Sequence, residues 1–510
     1  MRSKLAIRNS FFNVASLSIN AVFSFVIRKY LILYLGIEIL GVNAVIIDTL
    51  NTLSLAELGI QTAIAFRLYQ PVAEGNERRE GEIFSLFRKA YRVIGSFILI
   101  AGIGLIPFIQ CIVKTEIDIY YVLAIYFIQL VAISLPYFFS YYRILFLVHQ
   151  KQYFCTKIDI ISHIIFSCIQ IFVLVYFKSY IIYLLISYVK FFVSNGIIIK
   201  ACRREFGFVK RKYIASNQDK KILFGDLREI IWGNVAGYVY SSTDSLIISY
   251  FCGTVLVGFI SNYKTVTNTV RSCINVVNTS LVPSWGNFLH SNTDHQRFKE
   301  LYYMFIFLEY CVCSILLIPV LCLADAFITL WLGVGFIIER EILILIVIDI
   351  YISTIHEPNA VVMRSLGMFK EDKWNSFWAT LTNLATSLIL VQIYGVKGVL
   401  IGTILALIIF WVTRSKSVNT RCFGKSKKEY IYYWYKNLLY LVMFLIEYIV
   451  VTVVLKKTIA ESSIWGFFKS CVICELIVMV FILCFWGRCK EMKSIIANII
   501  KPLIRRKKDD

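Results

Sequence analysis

Apolar runs of about 20 residues follow one another along almost the whole chain, each ended by a short polar stretch, and about 20 apolar residues suffice for a helix to cross a 30 Å hydrocarbon core. The rhythm predicts fourteen membrane helices, near residues 8–35, 39–69, 83–112, 119–148, 158–177, 181–199, 228–252, 254–282, 301–324, 340–363, 374–394, 396–413, 431–455 and 465–486. The longest connection runs from about Lys200 to Leu227 and separates the first six spans from the next six. The expected organisation is an N-lobe over 1–210, a C-lobe over 211–420, two extra spans within 421–486 and a basic tail at 487–510. The predicted class is an all-α polytopic membrane protein with two pseudo-symmetric six-helix lobes plus two C-terminal helices.

Polar positions inside the spans strengthen the idea of a repeat. In span one, Asn13, Ser16, Asn20, Ser24 and Arg28 recur at helical spacing within about 120° of arc. In span seven, Asn234, Gly237, Ser241, Ser245 and Ser249 stand at the same offsets, each 221 residues later. Gly36 and Gly41 then find counterparts in Gly253 and Gly258, now 217 residues on, so the first half carries about one extra helical turn after Arg28. At that second offset Asn51, Ser54 and Gln61 of span two fall on Asn268, Arg271 and Asn278 of span eight. Lys264, Asn268, Arg271, Asn275 and Asn278 share about 80° of one helix face.

Charged and polar groups in a membrane helix face protein or a water-filled cavity, because a charge at the bilayer centre costs at least about 2.5–3.5 kcal/mol. Four stripes on the first two helices of each half predict a hydrated cavity between two lobes that alternate access by rocking. Its cations would be Arg28, Lys264 and Arg271, with Lys29 off the stripe; its acids would be Asp48, Glu57 and Asp244. Asn20, Asn51, Asn234, Tyr238, Ser241 and Asn268 would supply neutral hydrogen-bonding groups. The competing reading is that Ser and Asn merely bond helices together. The other acids in apolar runs, Asp159, Glu309, Asp325, Asp349, Glu357, Glu447 and Glu475, have no such context in the sequence. The "HEPN" at His356 to Asn359 predicts a break in span ten, since Pro358 lacks a backbone donor.

Composition agrees with a membrane chain: 58% of the 510 residues are hydrophobic and only 17% charged, against roughly 25% charged in soluble domains. A net charge of +21 invites a nucleic-acid partner, but its distribution argues against one. The cations gather between spans at Arg78-Arg79, Lys200 to Lys221, Arg414 to Lys428 and Lys501 to Lys508, alternating with connections poor in cations around Lys114, Lys178 and Lys397. That alternation is the positive-inside pattern and predicts cytoplasmic termini, with the basic clusters touching anionic membrane lipids. The first apolar run lacks a cleavage site and reads as a retained span. The 14 cysteines, including the Cys471/Cys474 pair, lie mostly within apolar runs and read as packing residues.

The run "YLGIEILGVNAVIIDTLNTLSLAELGIQTAIAFRLYQPVAEGNERR", residues 34–79, resembles the second-span region of Wzx-type polysaccharide biosynthesis flippases. These belong to the multidrug/oligosaccharidyl-lipid/polysaccharide superfamily. "STDSLIISYFCG…VGFISNYKTV", residues 242–266, is similar to their seventh and eighth spans. The resemblance implies a multidrug-extrusion-like fold in the bacterial cytoplasmic (inner) membrane. It implies a polyprenyl-diphosphate-linked oligosaccharide as substrate, flipped from the cytoplasmic to the outer leaflet for surface polysaccharide export. It also implies polysaccharide polymerase and ligase machinery as partners, and an ion gradient as a driving force that Asp48, Glu57 or Asp244 would couple.

The residues suit that substrate on chemical grounds. A diphosphate entering a low-dielectric region needs cations, and sugar hydroxyls pair with Asn, Ser and Tyr. An enzyme of the same pathway would need a long outward loop or a nucleotide-sugar domain; the 200–227 loop is too short. No phosphate-loop, Rossmann or H-E-x-x-H signature appears, so no cofactor is expected. A drug–cation antiporter of the same fold would favour an acidic cavity, and a flippase for the peptidoglycan-precursor lipid would use the same diphosphate chemistry.

Overall fold

The computed structural model describes residues 2–53, 60–211, 213, 243–291, 295–366, 368–458 and 463–495. Two compact units divide the chain at Ser261/Asn262. The first contains α1 (Arg2–Leu35), α2 (Ile37–Leu53), α3 (Ile60–Glu74), α4 (Glu77–Leu105), α5 (Ile119–Phe139), α6 (Gln152–Phe177), α7 (Tyr180–Glu205) and α8 (residues 243–252). Helix α9 (Thr254–Ser291) starts in the first unit and continues in the second. The second unit adds α10 (His295–Trp331), α11 (Arg340–Ile355), α12 (Glu357–Ser365), α13 (Phe369–Tyr394), α14 (Val396–Cys422), α15 (Lys427–Thr458), α16 (Ile464–Trp486) and the short α17 (Lys490–Ile495).

Ten of these helices, taken with the turns that extend two of them, are long and apolar enough to cross a membrane: α1, α4, α5, α6, α7, α10, α13, α14, α15 and α16. The chain is an all-helical, multi-pass membrane protein. The remaining four expected spans fall short of that description for distinct reasons. In span two, residues 54–59, including Glu57, lie outside the described residues, as does most of span seven with Asn234, Tyr238 and Ser241. Span eight is one long helix, α9, made less apolar by its polar stripe. Span ten is divided into α11 and α12 at His356, where Pro358 enters the first turn of the new helix.

Local chemistry sets the helix starts. The side chains of Asn76, Asp118 and Ser463 accept hydrogen bonds from Arg79 N (3.0 Å), Tyr121 N (3.3 Å) and Gly466 N (3.0 Å), capping α4, α5 and α16. Lys178, in the left-handed region at φ 48°, ends α6.

In the first unit α1 lies along α6, α6 along α7, and α5 against both α2 and α4. Val42, Ile46, Leu50, Ile98, Val122, Ile125 and Leu130 form its core. In the second unit α13 and α14 form a hairpin turned by Gly395, and α10 packs on α11, α15, α16 and α17. On α16, Val472, Leu476, Met479 and Leu483 are exposed while Cys474, Val478, Phe481 and Ile482 are buried. In a bilayer the exposed apolar stripe faces lipid, and van der Waals packing of the inner stripe holds the helix in place.

Candidate functional site

Within the first unit, the repeat seen in the sequence has a physical counterpart. Gly36 separates α1 from α2 with φ +85°, and Gly253 separates α8 from α9 with φ +89°. These are left-handed conformations that glycine adopts without steric cost. Five residues further on, Gly41 and Gly258 face each other, so that a Cβ on either would run into the opposite helix backbone. The loop between α4 and α5 ties both helix starts. Glu38 accepts from the Thr115 hydroxyl and from Glu116 N (2.9 Å), while the Thr254 hydroxyl donates to Lys114 O (2.8 Å).

The α1 stripe runs up to this junction. Asn20 is exposed and donates to Ser16 Oγ at 3.3 Å. Arg28 is half-buried, and its Nη2 donates to Ser261 Oγ on α9, which itself donates to Gly258 O at 2.7 Å. The guanidinium is therefore oriented by the counterpart of its own repeat. Asn51 and Asp48 are half-buried on α2, and Asp244 is buried on α8.

In the second unit Lys264 and Arg271 are half-buried on α9, with Asn268 exposed between them. Arg271 forms an ion pair with Asp349 of α11 and reaches Ser353 Oγ, one turn along, at 3.4 Å. Lys264 also interacts with the Asp349 carboxylate. Among the described residues two cations thus act on one acid, an excess of one positive charge in this group.

Asp349 is one of several acids that sequence spacing left without context and the structure provides with partners. Asp159 of α6 takes a bidentate pair from Arg143 at 2.6 and 2.9 Å. Asp325 pairs with Arg340 at 3.1 Å and accepts from the Tyr263 hydroxyl at 2.8 Å. Glu357 pairs with Arg364. Glu447 accepts from Tyr310 (2.8 Å) and Ser314 (2.6 Å), fastening α15 to α10.

A second polar seam in the first unit was also missed. Asp159, His163 and Gln170 on α6 meet Tyr183, Ser187 and Lys190 on α7, and Arg143 joins Asp159 to Asn195. Gln170 donates to Ser187 Oγ at 2.9 Å, and Lys190 Nζ donates to His163 Nδ1 at 2.7 Å. Both stripes have helical spacing, and that spacing is the signal that could have found them.

The fold is shared with solved transporters. The lipid II flippase MurJ in an inward closed conformation aligns with a TM-score of 0.68 at 15% identity, over 95% of this chain and 98% of that one. An inward-facing multidrug resistance MATE family transporter of the MOP superfamily aligns with a TM-score of 0.56 at 11% identity, over 80% and 94%. An outward-facing one gives 0.58 at 10%, over 83% and 96%. No curated protein matches in sequence. The family model for polysaccharide biosynthesis proteins matches residues 6–289. With more than half of its length so matched and the fold of MOP-superfamily transporters rather than of an enzyme family, the chain belongs to the polysaccharide biosynthesis protein family.

Proposed function

We propose that the protein flips polyprenyl-diphosphate-linked oligosaccharide units from the cytoplasmic to the outer leaflet of the bacterial inner membrane by alternating access. The observation that carries this reading is the excess of intramembrane positive charge among the described residues: Arg271 is paired with Asp349, and Lys264 acts on the same single carboxylate from farther away. A diphosphate is the complementary ligand, since charge-assisted bonds to phosphate oxygens are the strong ones and a buried cation needs a partner. Arg28, Asn20, Asn51 and Asn268 stand on the same polar stripes and would bind the diphosphate and sugars, with Asn234, Tyr238 and Ser241. Family membership supports a polysaccharide pathway. Fourteen spans, lobes at 1–210 and 211–420, cytoplasmic termini, and coupling through Asp48, Glu57 or Asp244 belong to the same reading.

A second reading, a flippase for the peptidoglycan-precursor lipid, is favoured by one observation. The lipid II flippase MurJ matches 95% of this chain, against 80–83% for the MATE transporters. The test is leaflet transfer in proteoliposomes of a fluorescent polyprenyl-diphosphate oligosaccharide, scored by an external sugar-modifying enzyme, with lipid II in a parallel series. Transfer that depends on the protein and weakens in Arg271→Gln and Lys264→Gln is expected. Transfer of lipid II alone would select the second reading, and wild-type rates in both variants would remove the cationic site.

A further inference from the structure

Among the acids that lie in apolar spans, Glu309 stands apart. It is fully buried on α10, at 0% exposure, and neither carboxylate oxygen has a partner in good hydrogen-bonding geometry among the described residues. Beside it on α9 lies Asn278, 5% exposed, whose side-chain amide interacts with the Glu309 carboxylate and whose Oδ1 is buried with no donor in bonding geometry. The buried carboxylate therefore has only a neutral side-chain amide beside it, whose own oxygen is unmatched. Among the described residues, the titratable groups facing Glu309 do not neutralise it. Glu357, across the break between α11 and α12, is itself an acid and is engaged by Arg364. Cys313 is one turn along the same helix. On the other helices packed against α10, Asp349 is tied to Arg271, Glu447 to Tyr310 and Ser314, and Glu491 to Lys436.

An ionised carboxylate buried without a partner is costly, and proteins hold such a group only with a counter-ion or as the neutral acid. Oxygen acceptors suit a hard cation. A single carboxylate with an amide matches one positive charge. Among the described residues no three His, Cys, Asp or Glu side chains gather into a multivalent metal site.

We propose that Glu309 and Asn278, where α9 and α10 meet beside the break before Glu357, form a binding site for a hard monovalent cation, Na+ or H+. Occupation removes the buried negative charge, and release restores it. This gives the second unit two states of different electrostatic energy. Its use as the ion that drives transport rests on the reading above; binding itself does not.

Thermal unfolding of the purified full-length protein, followed by tryptophan fluorescence, tests binding without any lipid substrate. A failed cation assay and a failed flipping assay are therefore separable. Sodium would be titrated against choline at constant ionic strength, at alkaline and at mildly acidic pH. The expected result is a sodium-dependent rise in Tm that is lost in Glu309→Gln and needs about tenfold more sodium in Asn278→Ala, the loss of one ligand. Glu475→Gln, a half-buried acid on α16, should behave as wild type. If the occupant is a proton, sodium has no effect, and the wild-type Tm falls on going to alkaline pH while that of Glu309→Gln does not. An identical response of wild type and Glu309→Gln to both cations would overturn the site. Should that variant not fold, an Asn278→Ala protein that responds as wild type does would overturn it equally.

Discussion

Gly41 and Gly258 stand back to back where α2 and α9 begin. A Cβ on Gly41 would lie 2.0 Å from the carbonyl oxygen of Thr254, and one on Gly258 would lie 2.7 Å from that of Ile37. The two glycines hold equivalent places 217 residues apart in the sequence repeat. The repeat thus packs on its own copy through backbone, at a spot where no side chain fits. Thr254 is also the residue whose N–H (3.2 Å) and hydroxyl (2.8 Å) both reach Lys114 O, so the crossing and the α4–α5 loop share one anchor.

Gly41→Ala should therefore force α2 and α9 apart, because the obstructing atom is backbone and cannot swing away. We expect a loss of about 1–3 kcal/mol, the usual cost of overpacking, read as a lower Tm of the purified protein. Gly36→Ala is the informative contrast. Nothing lies within 4 Å of its Cβ position, so only the φ of +85° is strained, and about 1–2 kcal/mol is expected from that alone. Replacing Gly36 with Asn, which tolerates the left-handed region better, should recover part of the Gly36→Ala loss, whereas Gly41→Asn should be worse than Gly41→Ala.

Arg271 and Asp349 are 37% and 19% exposed at their side chains, so their pair is neither a surface contact nor fully desolvated. Breaking a fully buried pair from one side costs about 3–5 kcal/mol, and partial exposure reduces this to about 1–3 kcal/mol. Asp349→Asn leaves both Arg271 and Lys264 without that acid and should lower Tm more than Arg271→Gln, which leaves Lys264 to compensate the acid. Equal losses would show that Lys264 does not contribute to the group. The transport assay separates the roles further. Arg271→Gln should slow flipping, while Asp349→Asn, which removes the competing acid, should retain binding of the anionic lipid.

The spans were legible because membrane length and apolarity are properties of a segment by itself. Repeat landmarks such as Gly36/Gly253 were legible because identical backbone needs recur at a fixed offset. The partners of Asp159 and Asp349 were not legible. Arg143 is 16 residues from Asp159 and lies beyond a turn, and Arg271 is 78 residues from Asp349, so neither pairing leaves a periodic trace. Stripes on α6 and α7 were visible in principle, but each has only a few polar residues among apolar ones and becomes a seam only when the helices pack. The break at His356 was readable from Pro358 alone, since a missing N–H is a local fact.

Glu491 of α17 lies outside the spans and is bonded by Lys436 of α15 at 2.8 Å, both side chains 13% exposed. Burial pushes the Glu491 carboxyl up, but the hydrogen bond and charge of Lys436 prevail and hold it below the ordinary 4.5. A carboxyl depressed in the folded state stabilises it at pH values above the unfolded pKa. That contribution disappears as the pH falls through the lower folded value. Glu491→Gln should lower Tm near neutral pH by an amount equivalent to about 1–3 kcal/mol, the range for a bond to a charged group. The wild-type and variant curves should converge in acid below about pH 4.5. Parallel curves down to strong acid would show that the Lys436 bond does not set the carboxyl's titration.

Lys190 and Asp159 belong to one polar seam yet should respond oppositely to neutralisation. Asp159 is held by both guanidinium nitrogens of Arg143, whose Nε also reaches Asn195 Oδ1 at 3.2 Å. Asp159→Asn would leave that guanidinium, 28% exposed, without its counter-charge, and a loss of about 1–3 kcal/mol follows. The Lys190 ammonium instead donates to the neutral ring of His163, and no carboxylate lies within 4 Å of it among the described residues. It carries the desolvation cost of a cation, offset by a neutral acceptor and by the more distant charge of Asp159, which Arg143 already engages. Lys190→Met keeps the length and apolar stem while removing that cost, so Tm should stay unchanged or rise. The two variants, compared by thermal unfolding at neutral pH, decide the matter. If Lys190→Met destabilises as much as Asp159→Asn, the seam shares its charge more widely than the Arg143 pair and includes Lys190 as a stabilising member.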